Sequence, residues 1–209
     1  MTFDMLSWMM MDPALASKYH LSGNANPLYT FNDPANNRFF WTKGSTGLPW
    51  DVQLYDNNYI YQSVTEVSWT DPTNYKIFNS PVYGLFGQPM CPRIAEPGRL
   101  ILNNPDSSYE LHTSCSAFTV KTVGTTKFTL SGPTPMDMGF GSLPTLTLSY
   151  FWGGDPTFTT FGHREDYFLQ QPFGLVKWQH TTLPGTTPDN VSNFNKLTLG
   201  TVTPVHPCF

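Results

Sequence analysis

A chain of 209 residues with a formal net charge of −4, 12% charged and 15% aromatic residues carries enough large rings to build a core, and its composition is that of an ordered domain. Its 11 lysines and arginines are scattered singly, so no basic stripe is available for a phosphate backbone and no nucleic-acid partner is expected. No apolar run reaches the roughly 18 to 20 residues that cross a bilayer as a helix, and no membrane span is expected.

The N-terminus holds the one helical pattern. Phe3, Leu6, Met9 and Met10 recur at helical spacing, and Asp12-Pro13 reads as an N-cap and first helical residue opening a second turn through Tyr19. Asp4 and Asp12 stand where a signal peptide needs a basic region, so the Met and Trp8 stripe is read as a packing face. Residues 23–50 are rich in Asn, Pro and Gly with one strand-like run, 38–42. Residues 1–50 are therefore expected to form a short helix and an ordered loop region packed on a single β domain spanning 1–209.

Strand signals then come often. Segments 51–55, 59–69, 99–102, 108–113, 117–123 and 127–131 carry β-formers bounded by Gly, Pro, Asn or Asp. The cleanest alternation is 145–152, with Leu146, Leu148, Tyr150 and Trp152 on one face. No long helix separates these strands, so parallel crossovers are unavailable and the sheets should be antiparallel. About ten strands with this many rings to bury predict an all-β, two-sheet antiparallel sandwich of jelly-roll type with a short N-terminal helix.

The most specific local geometry is the hairpin of 165–171 and 174–180. If Pro172-Phe173 forms a two-residue turn, Leu169 faces Val176, Tyr167 faces Trp178 and Glu165 faces His180, all on one face. Two readings fit that face. In one, the apolar residues and rings are core, and Glu165 pairs with His180 at the rim. In the other the face is concave and open, the rings of Tyr167 and Trp178 stack on sugar C–H faces, and Glu165 and His180 bond hydroxyls or move protons.

Further candidates lie elsewhere. Glu66 shares a face with Ile60 and Val64, and Glu110 shares one with His112; either carboxyl fits a catalytic acid or a protective charge on an edge strand. Trp41, Trp50, Tyr55, Tyr59 and Tyr61 crowd a Gly- and Asn-rich neighbourhood of the kind that stacks on sugars. Asp51 and Asp56, with Asn57 and Asn58, offer oxygens to Ca2+, although Asp-Asn-Asn is also an ordinary turn. Three cysteines allow one disulfide; Cys91 with Cys115 is the preferred pair, with Cys208 as the alternative partner of either. The motifs of zinc enzymes, α/β-hydrolases and phosphate-binding loops are absent from the sequence.

The stretch from Glu165 through Pro172-Phe173-Gly174 to Trp178 resembles the late hairpin of secreted bacterial jelly-roll and lectin-like sandwiches over about 150–180. The resemblance implies a protein that binds or cleaves polysaccharides, secreted or periplasmic with its targeting segment removed, and it carries no family catalytic residue onto this chain. The expected function is carbohydrate binding. A polysaccharide hydrolase or lyase using Glu165, His180 and one of Glu66 or Glu110 is the alternative, and a structural or assembly protein without a small ligand is the third.

Overall fold

A computed structural model describes residues 1–24, 26–44, 47–66, 73–80, 87–154, 162–206 and 208, with the side chains of 103–107 outside that description. Two short helices, α1 (Met5–Met9) and α2 (Pro13–Ala16), follow a two-residue strand, β1 (Phe3–Asp4). The remaining strands are β2 (Tyr19–Ser22), β3 (Leu28–Asp33), β4 (Arg38–Lys43), β5 (Pro49–Tyr55), β6 (Tyr59–Glu66), β7 (Tyr75–Phe78), β8 (Gln88–Pro92) and β9 (Ile94–Ala95). They continue through β10 (Gly98–His112), β11 (Phe118–Asp137), β12 (Ser142–Trp152), β13 (Gly162–Gln170), β14 (Gly174–Leu183), β15 (Asn190–Asn193) and β16 (Lys196–Leu199).

The protein is all-β and antiparallel, consistent with the expected sandwich. Its layers are parts of one continuous 14-stranded sheet, ordered β15-β14-β13-β12-β11-β10-β7-β6-β5-β4-β3-β2-β16 with β8 added to β6, and β1 and β9 form a separate ribbon. The end strands of this path are consecutive in the chain. After β15 has paired with β14, the chain turns at Phe194 and Asn195 and enters β16 to pair with β2. At that corner Phe194 is fully buried and its N–H donates to Val176 O at 2.8 Å. The wrapped sheet thus joins its two ends through a single stretch of chain, which leaves little exposed edge there.

The core lies inside this wrap. Leu146, Leu148 and Tyr150 of β12 and Tyr167 and Leu169 of β13 meet Met5, Leu6, Met9 and Met11 around α1, together with Phe39 and Trp41 of β4. Trp41 is fully buried, stacks on Tyr167 at 5.7 Å and donates from Nε1 to Met9 O at 3.3 Å. Burial of a large ring on this scale contributes about 1.5–3 kcal/mol. The N-terminal stripe therefore serves as a packing face. Asp12 caps α2 through Ala14 N–H at 2.8 Å with Pro13 in the first turn, but the helix stops at Ala16 and Tyr19 already belongs to β2.

Several expectations need correction. Residues 23–50 are not a loop region: β3 runs from Leu28 to Asp33 and pairs fully with β4, so Pro27 and Pro34 bracket a strand. The pairs 99–102 with 108–113 and 117–123 with 127–131 each fuse into one long strand, β10 and β11, with a bulge between Asn104 and Ser108. Strand β6 is described to Glu66; positions 67–69 of the expected segment lie outside the described residues. The disulfide joins Cys115 to Cys208, and Cys91 is a free, fully buried thiol on β8. Cys91 faces the apolar core, where it packs as a small hydrophobe.

The late hairpin keeps its key register by a different route. Its loop has three residues, Gln171 to Phe173, so that Gln170 pairs with Gly174 and Leu169 with Leu175, not with Val176. A bulge at Val176 absorbs the extra residue and restores Tyr167 opposite Trp178 and Glu165 opposite His180. Gly174 is obligatory at the turn. Its φ is +76°, and a Cβ there would stand 2.7 Å from Met10 C and Met11 N of the α1–α2 link.

Candidate functional site

One face of the β12–β14 layer changes character along its length. Near the hairpin turn, Leu169, Leu175 and Leu146 are sealed against the helices. Toward the other end the same face carries Tyr167, Trp178, Glu165 and Trp152, and there a pocket of about 350 Å³ opens. This volume is at the lower end of the range for small-molecule sites.

Glu165 is the fixed point of that pocket. Its Oε1 accepts from Trp152 Nε1 at 2.9 Å, and its Oε2 accepts from Trp178 Nε1 at 3.0 Å and from the Tyr167 hydroxyl. Three ring donors from three adjacent strands thus hold one carboxylate, and the same bonds hold the two indoles edge-on to it. Trp50 of β5 contacts Trp178 edge to face at 5.4 Å and completes a set of three indoles around the cavity.

The opposite wall is built on β6, β7 and β10. Thr65 lies opposite Lys76, and Phe78 opposite Tyr109, in the strand registers, and all four line the pocket. Glu66, at the end of β6, lines it too, and its carboxyl has no hydrogen bond or ion pair among the described residues. Burial pushes Glu66 up to about 7, against a smaller opposing pull from Lys43. Lys76 places Nζ 4.5 Å from the ring centre of Trp152 and 5.5 Å from that of Tyr109. Burial lowers its ammonium from the usual lysine range, opposed by Glu165 and Asp51.

A polar chain runs from the pocket into the interior. Gln88 Nε2 donates to Gln62 Oε1 at 3.2 Å, and Gln62 Nε2 donates to Asp51 Oδ1 at 3.4 Å. Asp51 is buried, which raises its carboxyl, with Glu165 adding to the effect. Lys43 is lowered by burial; its Nζ sits 3.6 Å from the ring centre of Trp50 and 5.0 Å from that of Trp178.

His180, although opposite Glu165 in register, does not pair with it. Its Nδ1 bonds Asp189 Oδ1 and its Nε2 lies 3.1 Å from His163 Nδ1. His163 stacks on Trp152 at 4.1 Å, so the Asp189–His180–His163 chain backs one wall of the pocket. Against a burial penalty, hydrogen bonds from His180 and Thr182 hold Asp189 down at about 2.

The structure therefore gathers Glu165, Trp178, Trp50 and Glu66 around one cavity, with Tyr167 and Asp51 directly behind it. Trp41 is core and not a surface ring. Tyr59 and Tyr61 lie elsewhere. The Tyr61 hydroxyl donates to Asp56 Oδ2 at 2.8 Å, and Asp56 Oδ1 accepts from the N–H groups of Asn58 and Tyr59. Asp56 is thus a turn-capping residue engaged by its own loop, whereas Asp51 is buried within β5 and engaged by Gln62. Among the described residues no group of three His, Cys, Asp or Glu side chains is placed to hold a metal.

Glu110 bonds His112 at 2.8 Å, as a shared face allows, but His112 is buried between Tyr75 at 4.8 Å and Phe118 at 4.9 Å, in a separate cluster on the strand preceding Cys115. Lys76, Trp152, Gln62 and Gln88 went unmarked in the sequence. For Trp152 the signal was present, since it continues the inward face of Leu148 and Tyr150. For Lys76 it was a single cation inside the apolar run Tyr75 to Phe78.

Comparison with models of protein families, with curated proteins and with solved structures finds no match to this chain.

Proposed function

We propose that this protein binds a carbohydrate, as a short glycan or the end of a longer chain, in the cavity between Trp50, Trp152, Trp178 and Glu66. The observation that carries this reading is the fixed indole set: two of the three rings are locked by Glu165 beside a cavity whose other wall ends in amide, hydroxyl and carboxyl groups. The apolar edges of these rings match the C–H groups of a pyranose, and the polar ends placed between them match its hydroxyls. A disulfide between Cys115 and Cys208 suits an oxidising, extracytoplasmic setting for such a protein.

The test is a calorimetric screen against methyl glycosides and short oligosaccharides, with Thr122→Trp as the control. Thr122 is exposed on the pocket rim, so an indole there blocks the mouth without disturbing the core. Binding by the wild type that is lost in Thr122→Trp supports the reading. Silence across the panel, or binding unchanged by the plug, overturns it.

A second reading, hydrolysis or elimination on the bound sugar, is favoured by one feature. Among the described residues Glu66 makes no hydrogen bond or ion pair, and its carboxyl titrates near neutral pH in the same cavity as a fixed carboxylate, the state suited to a general acid or base. Glu165 fits this reading as an electrostatic stabiliser, because both its oxygens are occupied by donors. Release of reducing ends or unsaturated products that falls about 100-fold or more in Glu66→Gln supports catalysis; their absence with retained binding removes it.

A further inference from the structure

Most polar groups of the pocket are already engaged. Glu165 is taken by three ring donors, and Gln62 and Gln88 bond each other and Asp51. Lys76 is different. Its side chain is half-buried and lines the cavity; its Nζ lies over the faces of Trp152 and Tyr109, feels the charges of Glu165 and Asp51, and makes no hydrogen bond or ion pair among the described residues. An ammonium carries three N–H donors, and a ring face satisfies none of them with a directed bond. The two rings hold the lysine stem in place, so its head is positioned before any ligand arrives.

Resting on the carbohydrate reading, we propose that the pocket selects an acidic sugar, with the carboxylate of a uronic acid bonded to Lys76. The neighbouring charges permit it. Both oxygens of Glu165 are engaged by three ring donors, burial keeps Asp51 toward its protonated form, and Glu66 is pushed up to about 7 and so is partly neutral at physiological pH. A protonated Glu66 is a hydroxyl donor, not a repelling charge. A neutral sugar in the same place would leave the ammonium donors without a charged acceptor, so the acid is preferred over its neutral counterpart.

The experiment measures affinity for matched pairs of methyl glycosides, each uronate against the corresponding neutral hexoside in the gluco, galacto and manno series, by calorimetry on the wild type and Lys76→Met. In at least one pair the uronate should bind about 10- to 100-fold more tightly than its partner, as a charge-assisted bond allows. That ratio should fall to about one in Lys76→Met and largely survive in Lys76→Arg, which keeps the charge. Neutral sugars that bind as well as or better than uronates overturn the acidic preference and leave carbohydrate binding standing. A preference that persists in Lys76→Met overturns the role of Lys76. No binding in either series overturns both readings. The wild-type comparison alone is decisive on the preference if Lys76→Met fails to fold.

Discussion

Replacing Glu165 with glutamine removes one acceptor from a carboxylate that serves three donors. In the most favourable orientation the amide oxygen keeps the Tyr167 hydroxyl and Trp178 Nε1, and the amide NH2 then points at Trp152 Nε1, donor against donor. One charge-assisted bond is lost, and two become neutral. With bonds to charged groups contributing about 1.5–3 kcal/mol and neutral ones about 0.5–1.5 kcal/mol, the centres of these ranges give a net loss of about 5 kcal/mol. That is a large fraction of the roughly 5–15 kcal/mol by which domains are stable. Glu165→Leu leaves all three donors facing an apolar group and should cost more, moderated by water entering from the pocket. Urea unfolding followed by near-ultraviolet circular dichroism reads both, the expected result being a lower midpoint at unchanged slope. A change below about 0.5 kcal/mol in Glu165→Gln would refute the reasoning, because surface substitutions alone account for that much.

Gly174→Ala should destabilise by more than about 1 kcal/mol in the same assay, since φ of +76° and backbone atoms at 2.7 Å leave a Cβ no room. Glu66 has its folded-state value raised to about 7 from an ordinary 4.5, so ionising it opposes folding: the cost is absent below about pH 4.5, grows up to about 7 and stays constant above. Unfolding curves of Glu66→Gln and wild type should therefore converge at low pH, with the variant relatively more stable above neutrality; a constant gap across the range would refute the shift. Peptide mapping should recover Cys115 linked to Cys208, with Cys91 reacting with thiol reagents only on unfolding. Reduction of this bond, which joins residues 93 apart, should cost up to about 4–5 kcal/mol.

Much of the fold follows from alternation that can be read directly. Leu146, Leu148 and Tyr150 point inward as their spacing implies, and Tyr167 meets Trp178 as the hairpin implies. The hairpin shows why a register can be right while its turn is wrong: the three-residue loop and the bulge at Val176 cancel, and neither leaves a mark in the alternation of 165–168 with 177–180. Strand β3 was hidden because Asn, Asp and Pro at its ends outweighed Leu28, Tyr29 and Phe31 within it.

The hairpin face changes character along its length. The face is core beside Leu169, where α1 packs on it, and pocket wall beside Glu165. Cross-sheet encounters such as Glu66 with Glu165, and pairings such as Cys115 with Cys208, depend on how the sheet wraps, which local spacing does not encode. The partner of Glu165 was misread for the same reason: register placed His180 opposite it, whereas donors from Trp152, Tyr167 and Trp178 reach it along and across the strands.

The most direct test of carbohydrate binding in this cavity is the indole region of a 1H–15N correlation spectrum recorded while the protein is titrated with methyl glycosides and methyl uronates. Trp50, Trp152 and Trp178 line the pocket, whereas Trp8 of α1 packs against Phe3 at 5.8 Å in the core and serves as the internal control. The Nε1–H signals of Trp50, Trp152 and Trp178 should shift together and saturate with one affinity while that of Trp8 stays in place. No shift with any sugar, or shifts that leave the three pocket indoles unmoved, would contradict the account.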